Sequence, residues 1–167
     1  MLHNKLDIII NDSFTLEDFT KLLKDFSKDK KLVFGITEYL DFFVDDYHDY
    51  DVKSFILKIK QNFFERFIIS NKEINRLKNE TTMNLDFSND TFYIVKNIDE
   101  IEKFIKLDHF SFTALIVEKN IVTHVFFYTE HMDDMIIVVD CKPESDFKSF
   151  LDEYSKKHKK NVSILYS

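Results

Sequence analysis

Three apolar runs follow one another with almost no interruption between Asp108 and Cys141, DHFSFTALIVEKNIVTHVFFYTEHMDDMIIVVDC, and this stretch predicts the centre of the fold. Three runs in it carry β-branched and aromatic residues at a period of two, the pattern of strands. In the first run Phe110, Phe112, Ala114 and Ile116 share one face, and Ser111, Thr113, Leu115 and Val117 the other. Glu118-Lys119-Asn120-Ile121 predicts a two-residue hairpin with Lys119 and Asn120 in the turn, because Asn tolerates the positive φ such turns demand. That register pairs Glu118 with Ile121 and Leu115 with His124, and sets Glu118 and His124 on opposite faces. The third run, Met135 to Cys141, follows a polar connection, Glu130 to Asp134. All three runs are apolar on both faces, so the sheet is expected to be covered, at least in part, on both sides.

Ahead of this centre the period changes several times. Lys5 to Ile10 predicts a short strand. A helix follows, with Thr15 as cap, Asp18 three residues on, and Phe14 and Phe19 at the spacing of a hydrophobic staple. Phe19, Leu22, Leu23 and Phe26 give it one apolar face. Leu32 to Ile36 predicts a second strand, in which Gly35 marks a bend or a close backbone approach. Glu38 to Val44 is read as a short helix. A long helix is expected after Asp51, on a stripe running from Val52 through Phe55, Ile59, Phe63 and Phe67 to Ile74 and Leu77, with a break near Ser70-Asn71. Asn79 to Asn84 reads as a loop and Phe92 to Val95 as a strand. Asn97 with Glu100 caps a short helix, Ile98 to Lys106. After the central runs, Pro143 suits the first turn of a helix carrying Phe147, Phe150, Leu151 and Tyr154 on one face. Lys156, Lys157, His158, Lys159 and Lys160 close that helix where the dipole favours positive charge. Val162 to Tyr166 is the last strand. The whole predicts a single α+β domain, with a mainly antiparallel sheet in the C-terminal half packed by helices and a helix-rich N-terminal half. A division into a helical part, 1–80, and a sheet part, 85–167, is the alternative.

Composition narrows the function classes. The 167 residues include 19 Phe but one Gly, one Pro and one Cys, a profile that an AT-rich coding sequence produces, as in AT-rich bacteria, their phages and plasmids, or some eukaryotic parasites. Phe richness is therefore not itself a functional signal. The net charge of −7 counts against a broad nucleic-acid surface, which needs clustered Lys and Arg. A lone cysteine suits a reducing compartment, and no stretch reads as a signal peptide or membrane span, so an intracellular location is expected.

Candidate chemistry is sparse. With one glycine there is no phosphate-cradling loop, and no Cys or His pattern has the spacing of a metal site, so neither cofactor nor metal is expected. Cys141 with His124 or His109 is the only conceivable thiol nucleophile and base. A single Cys ending an apolar strand is more often a small buried hydrophobe. Glu130, His131, Asp133 and Asp134 offer ligands for a hard cation, although a solvated turn between hydrophobic strands is the commoner use of such residues. Asp41, Asp45, Asp46, Tyr47, Asp49, Tyr50 and Asp51 form the most acidic and aromatic segment. It reads either as a solvated face or as an interaction patch, in which aromatic rings supply buried area and carboxylates steer a basic partner.

The run FSFTALIVEKNIVTH, followed by a strand, Cys141, a helix and a last strand, resembles the core of the bacterial S-adenosylmethionine decarboxylases. Glu118, Ile121 and His124 fall at the spacing of that family's Glu-Ser-His-Ile-x-Ile-His-like hairpin, over the last third of the chain. The resemblance implies a processing role for His124 and a catalytic one for Cys141, given two inserted residues between them. It departs at the serine from which the family makes its pyruvoyl group, because Lys119 stands there and has no hydroxyl to attack the preceding carbonyl. The implied protein is a related fold without the activity. The sequence thus favours a non-enzymatic protein that binds a basic protein partner, for example an inhibitor or immunity-type factor. A degenerate decarboxylase-like binder and a Cys/His thiol enzyme are the alternatives.

Overall fold

Strands that are apolar on both faces need cover on both faces, and helices from three parts of the chain supply it. The computed structural model describes residues 4–37, 64–81, 90–96, 112–129, 135–141 and 146–166, with Ser54, Leu57, Ile98 and Asp99. In chain order these residues form β1 (Asn4–Ile9), α1 (Leu16–Phe26), β2 (Lys31–Thr37), β3 (Arg66–Phe67), α2 (Asn71–Thr81), β4 (Asp90–Val95), β5 (Phe112–Glu118), β6 (Ile121–Thr129), β7 (Met135–Asp140), α3 (Phe147–His158) and β8 (Ser163–Tyr166). The strands lie in one sheet in the order β3-β4-β2-β5-β6-β7-β1-β8, and every neighbouring pair is antiparallel. This is one α+β domain.

On one face Leu6, Ile8, Phe34, Ala114, Ile116, Phe126, Ile136 and Val138 pack with Phe19, Leu22, Leu23 and Phe26 of α1 and Phe147, Leu151 and Tyr154 of α3. On the other, Val33, Leu115, Val117, Val122, Val125, Val139 and Cys141 pack with Phe92 of β4 and Leu77 of α2. Each fully buried aliphatic or aromatic side chain contributes about 1.5–3 kcal/mol. Helix α1 starts where its signals place it: the Asp18 N–H donates to Thr15 Oγ1 at 3.2 Å, and the Thr15 N–H to Asp18 Oδ2 at 3.0 Å. The turn at Lys119 and Asn120 has φ of 52° and 63°, as the hairpin requires. Gly35 pairs with Phe92, and a Cβ at Gly35 would lie 2.6 Å from Phe92 Cε1, so the close approach is that of a cross-strand ring.

Several expectations are corrected. The sheet is not confined to the C-terminal half: β1 inserts between β7 and β8, and β2 between β4 and β5. The stripe from Val52 to Leu77 is interrupted earlier than the expected break near Ser70-Asn71. Arg66 and Phe67 pair with Tyr93 and Phe92 as the edge strand β3, Ile68 is exposed, and a new helix begins at Asn71. Ser70 Oγ accepts from the Glu73 N–H at 3.2 Å and starts it. That helix runs to Thr81, through the first residues expected as loop. Helix α3 begins at Phe147 rather than around Pro143. The helix expected over Glu38 to Val44 and most of the one over Ile98 to Lys106 lie outside the described residues.

Candidate functional site

One irregularity in the central hairpin builds the site. From the turn, Glu118 pairs with Ile121 and Val117 with Val122, but Ile116 then pairs with His124, leaving Thr123 as the extra residue of a β-bulge. The Thr123 hydroxyl donates to Ile116 O at 3.3 Å, and its carbonyl accepts from the Cys141 N–H at 2.8 Å. Beyond the last β6–β7 pair, His124 with Asp140, helix α2 takes over: the Val122 N–H donates to Glu73 Oε1 at 3.0 Å, and Val122 O accepts from Arg76 Nη2 at 2.8 Å. Glu73 and Arg76 are also paired with each other. The Arg76 hydrogen bond outweighs burial and, with the Val122 N–H, holds the Glu73 carboxyl below its ordinary range.

Because an extra residue shifts side-chain parity by one, the bulge overturns the expected pairing of Leu115 with His124. Leu115 pairs with Val125 instead, and His124 turns to the face that Glu118 and Ile116 share by register. It sits beneath α1 and α3, fully buried, with the Phe26 ring perpendicular to it at 4.9 Å and Phe126 and Phe147 at 6.5 and 6.4 Å between ring centres. Nδ1 lies 2.9 Å from Thr123 Oγ1 and Nε2 2.7 Å from Asp146 Oδ1. An ionised carboxylate only accepts, so Nε2 carries the donated hydrogen. Asp146 occupies the N-cap position of α3, yet its side chain makes no cap bond and reaches His124.

The Asp146 side chain is 42% exposed, whereas that of His124 is 0%. Between them the pair spans from the core to a cleft of about 310 Å³ lined by Asp25, Phe26, Lys28, Asp29, Lys30, Asp146 and Phe150. The cleft lies where the end of α1 meets the first turn of α3. Lys30 Nζ donates to Phe26 O at 3.1 Å and lies over the Phe26 ring, 4.1 Å from its centre, with the Phe150 ring beside it at 5.1 Å. In a hydrolytic triad the imidazole meets substrate and the carboxylate stands behind it. Here the order is reversed. Asp146 is the member exposed at the cleft, and His124 lies behind it.

The remaining sequence candidates are dispersed. Cys141 is buried in the cluster of the opposite face, so the sheet lies between it and His124. Glu118 ends β5 before the turn. His109, the loop residues Glu130, His131, Asp133 and Asp134, and the segment with Asp41, Asp45, Asp46, Tyr47, Asp49, Tyr50 and Asp51 lie outside the described residues. Among the described residues no group of three or more His, Cys, Asp or Glu is placed to hold a metal ion, and no helix is long and apolar enough to cross a membrane. Sequence reasoning missed Asp146, Phe26 and Lys30. With the helix expected from around Pro143, Asp146 reads as an ordinary residue of its first turn, and nothing local points to its bond with a residue 22 positions earlier. Compared with protein-family models, with curated proteins and with solved structures, the chain matches none.

Proposed function

We propose that the protein acts by binding a small molecule in the cleft between α1 and α3, with Asp146 as the contacting group and His124 as the residue that positions it. The 2.7 Å bond from a wholly buried imidazole to a carboxylate on the cleft wall carries this reading. A buried imidazole costs free energy unless its nitrogens are bonded, and one of the two bonds of His124 is directed to the cleft. A carboxylate already held in place loses less freedom when a ligand arrives. Catalysis by His124 as a base is not part of the proposal, since a fully buried ring touches no substrate. A relative of the S-adenosylmethionine decarboxylases with Lys119 in place of the serine would fit the same reading, keeping a pocket without the group that decarboxylates. The test is a fragment library screened against ¹⁵N-labelled protein. Hits are expected to shift the amides of residues 26–30 and 146–150 together, and to lose that effect in Asp146→Ala; hits that cluster elsewhere would contradict the reading.

A second reading, contact with a basic protein partner as an inhibitor or immunity-type factor, is supported by the net charge of −7 and by the five Asp and two Tyr named between 41 and 51. Capture of partners from lysate at low and high salt tests it. A stoichiometric partner lost at high salt and on replacing Asp45, Asp46 and Asp49 with Lys supports this reading, and a partner indifferent to both counts against it.

A further inference from the structure

We infer that the ligand of this cleft carries a positively charged nitrogen on an apolar body about the size of one aromatic ring, an inference that rests on the cleft being the binding site proposed above. The first support is a cation already there. Lys30, from the chain itself, places its ammonium over the Phe26 ring at 4.1 Å and bonds the Phe26 carbonyl at 3.1 Å. That position combines an aromatic face with the C-terminal end of α1, both of which favour positive charge. Phe150, tilted 59° to Phe26 at 5.1 Å, extends the aromatic surface beyond the one ring Lys30 uses. An apolar body therefore has a wall to lie against.

Charge supplies the second support. The lining holds three carboxylates, Asp25, Asp29 and Asp146, against two ammonium groups, and one of those is the Lys30 just described. Lys28 and the start of α3 would attract an anion, but Asp146 stands at the N-cap of that helix and its carboxylate repels one. His124 keeps Asp146 on the cleft wall, so an incoming ammonium meets a fixed partner and forms a charge-assisted hydrogen bond.

Three probes of one shape and different charge decide the matter: phenethylamine, 2-phenylethanol and phenylacetate, each titrated into ¹⁵N-labelled protein at low salt. Phenethylamine is expected to shift the amides of Lys28, Asp29, Lys30 and Phe150 and to bind about tenfold more tightly than the alcohol, with phenylacetate weakest. Asp146→Asn keeps an acceptor for His124 Nε2 but removes the charge, and it should reduce amine affinity about five- to tenfold while leaving the alcohol unchanged. Lys30→Met removes the internal cation and should strengthen amine binding. Equal or tighter binding of phenylacetate or the alcohol would overturn the charge inference while leaving the cleft a binding site. No shift from any probe, in the wild type or in Lys30→Met, would also overturn it, and the library screen then judges the cleft separately.

Discussion

Gly35 is the chain's single glycine, and its backbone has no positive φ, so its freedom of conformation is not what the fold uses. The missing Cβ is. Phe92 lies across that position, and both residues are buried in the sheet. Gly35→Ala is expected to lower stability by about 1–3 kcal/mol, the cost of overpacking a tight site, with partial rescue by Phe92→Leu in urea unfolding. An alanine tolerated without loss would contradict the contact. Gly35 is legible in sequence as a bend or a close backbone approach, but what comes close is the Phe92 ring, which no local signal names. The role of Thr123 is not legible. Nothing in Ile121-Val122-Thr123-His124 marks a bulge, since the bonds that fix it come from Cys141, Glu73 and Arg76, far away in sequence. The turn beside it was readable because two adjacent residues decide it.

The same division runs through the elements. Helix α1 was readable from end to end, since its cap, box and apolar face all lie within its own residues. The stripe from Val52 to Leu77 is legible only in part: Ser54 and Leu57 are helical and α2 begins at the expected break near Ser70-Asn71, but Phe67 belongs to β3, packing with the cluster around Phe92 on the α2 side. Helix α2 then does more than cover that face, because Glu73 and Arg76 bind the backbone N–H and carbonyl of Val122, one on each side of its Cα. Glu73→Gln should cost about 1–3 kcal/mol at neutral pH through loss of charge-assisted bonds. Its pH dependence has a definite sign. The folded Glu73 is held below its ordinary value of 4.5, so its contribution is complete above that value and is lost as pH falls from there toward the folded one. The stability gap between wild type and Glu73→Gln should be flat from pH 7 to about 5 and close below 4.5. A gap that stays constant to pH 3 would contradict the network. Asp18 works in the same direction, burial raising its carboxyl but Thr15 and Lys160 lowering it further, so some acid sensitivity remains in the variant.

At the scale of the whole molecule, periodicity shows which segments are strands but not which segments are neighbours. Residues 4–9 pair with 135–140 and residues 6–9 with 163–166, while residues 32–37 pair with 90–95 and residues 31–35 with 113–117. These partners are distant in sequence, and no local signal announces them. That is why the sequence places the sheet in the C-terminal half although it also marks strands at Lys5 to Ile10 and Leu32 to Ile36. The candidate site has the same origin, since it joins the end of α1, a bulge in β6 and the first turn of α3. The acidic and aromatic segment between 41 and 51, by contrast, is legible because it is contiguous. The central claim is that the bulge at Thr123 turns a buried His124 toward the carboxylate on the cleft wall. The most direct measurement is the set of nuclear Overhauser contacts made by the His124 ring in the labelled protein. Contacts to Phe26 and Phe147, with an Nε2–H slow to exchange with solvent, are predicted. Contacts to Val139, Cys141 or Leu77 would instead mean a regular hairpin ladder, with His124 on the far face from Asp146, and would contradict the account.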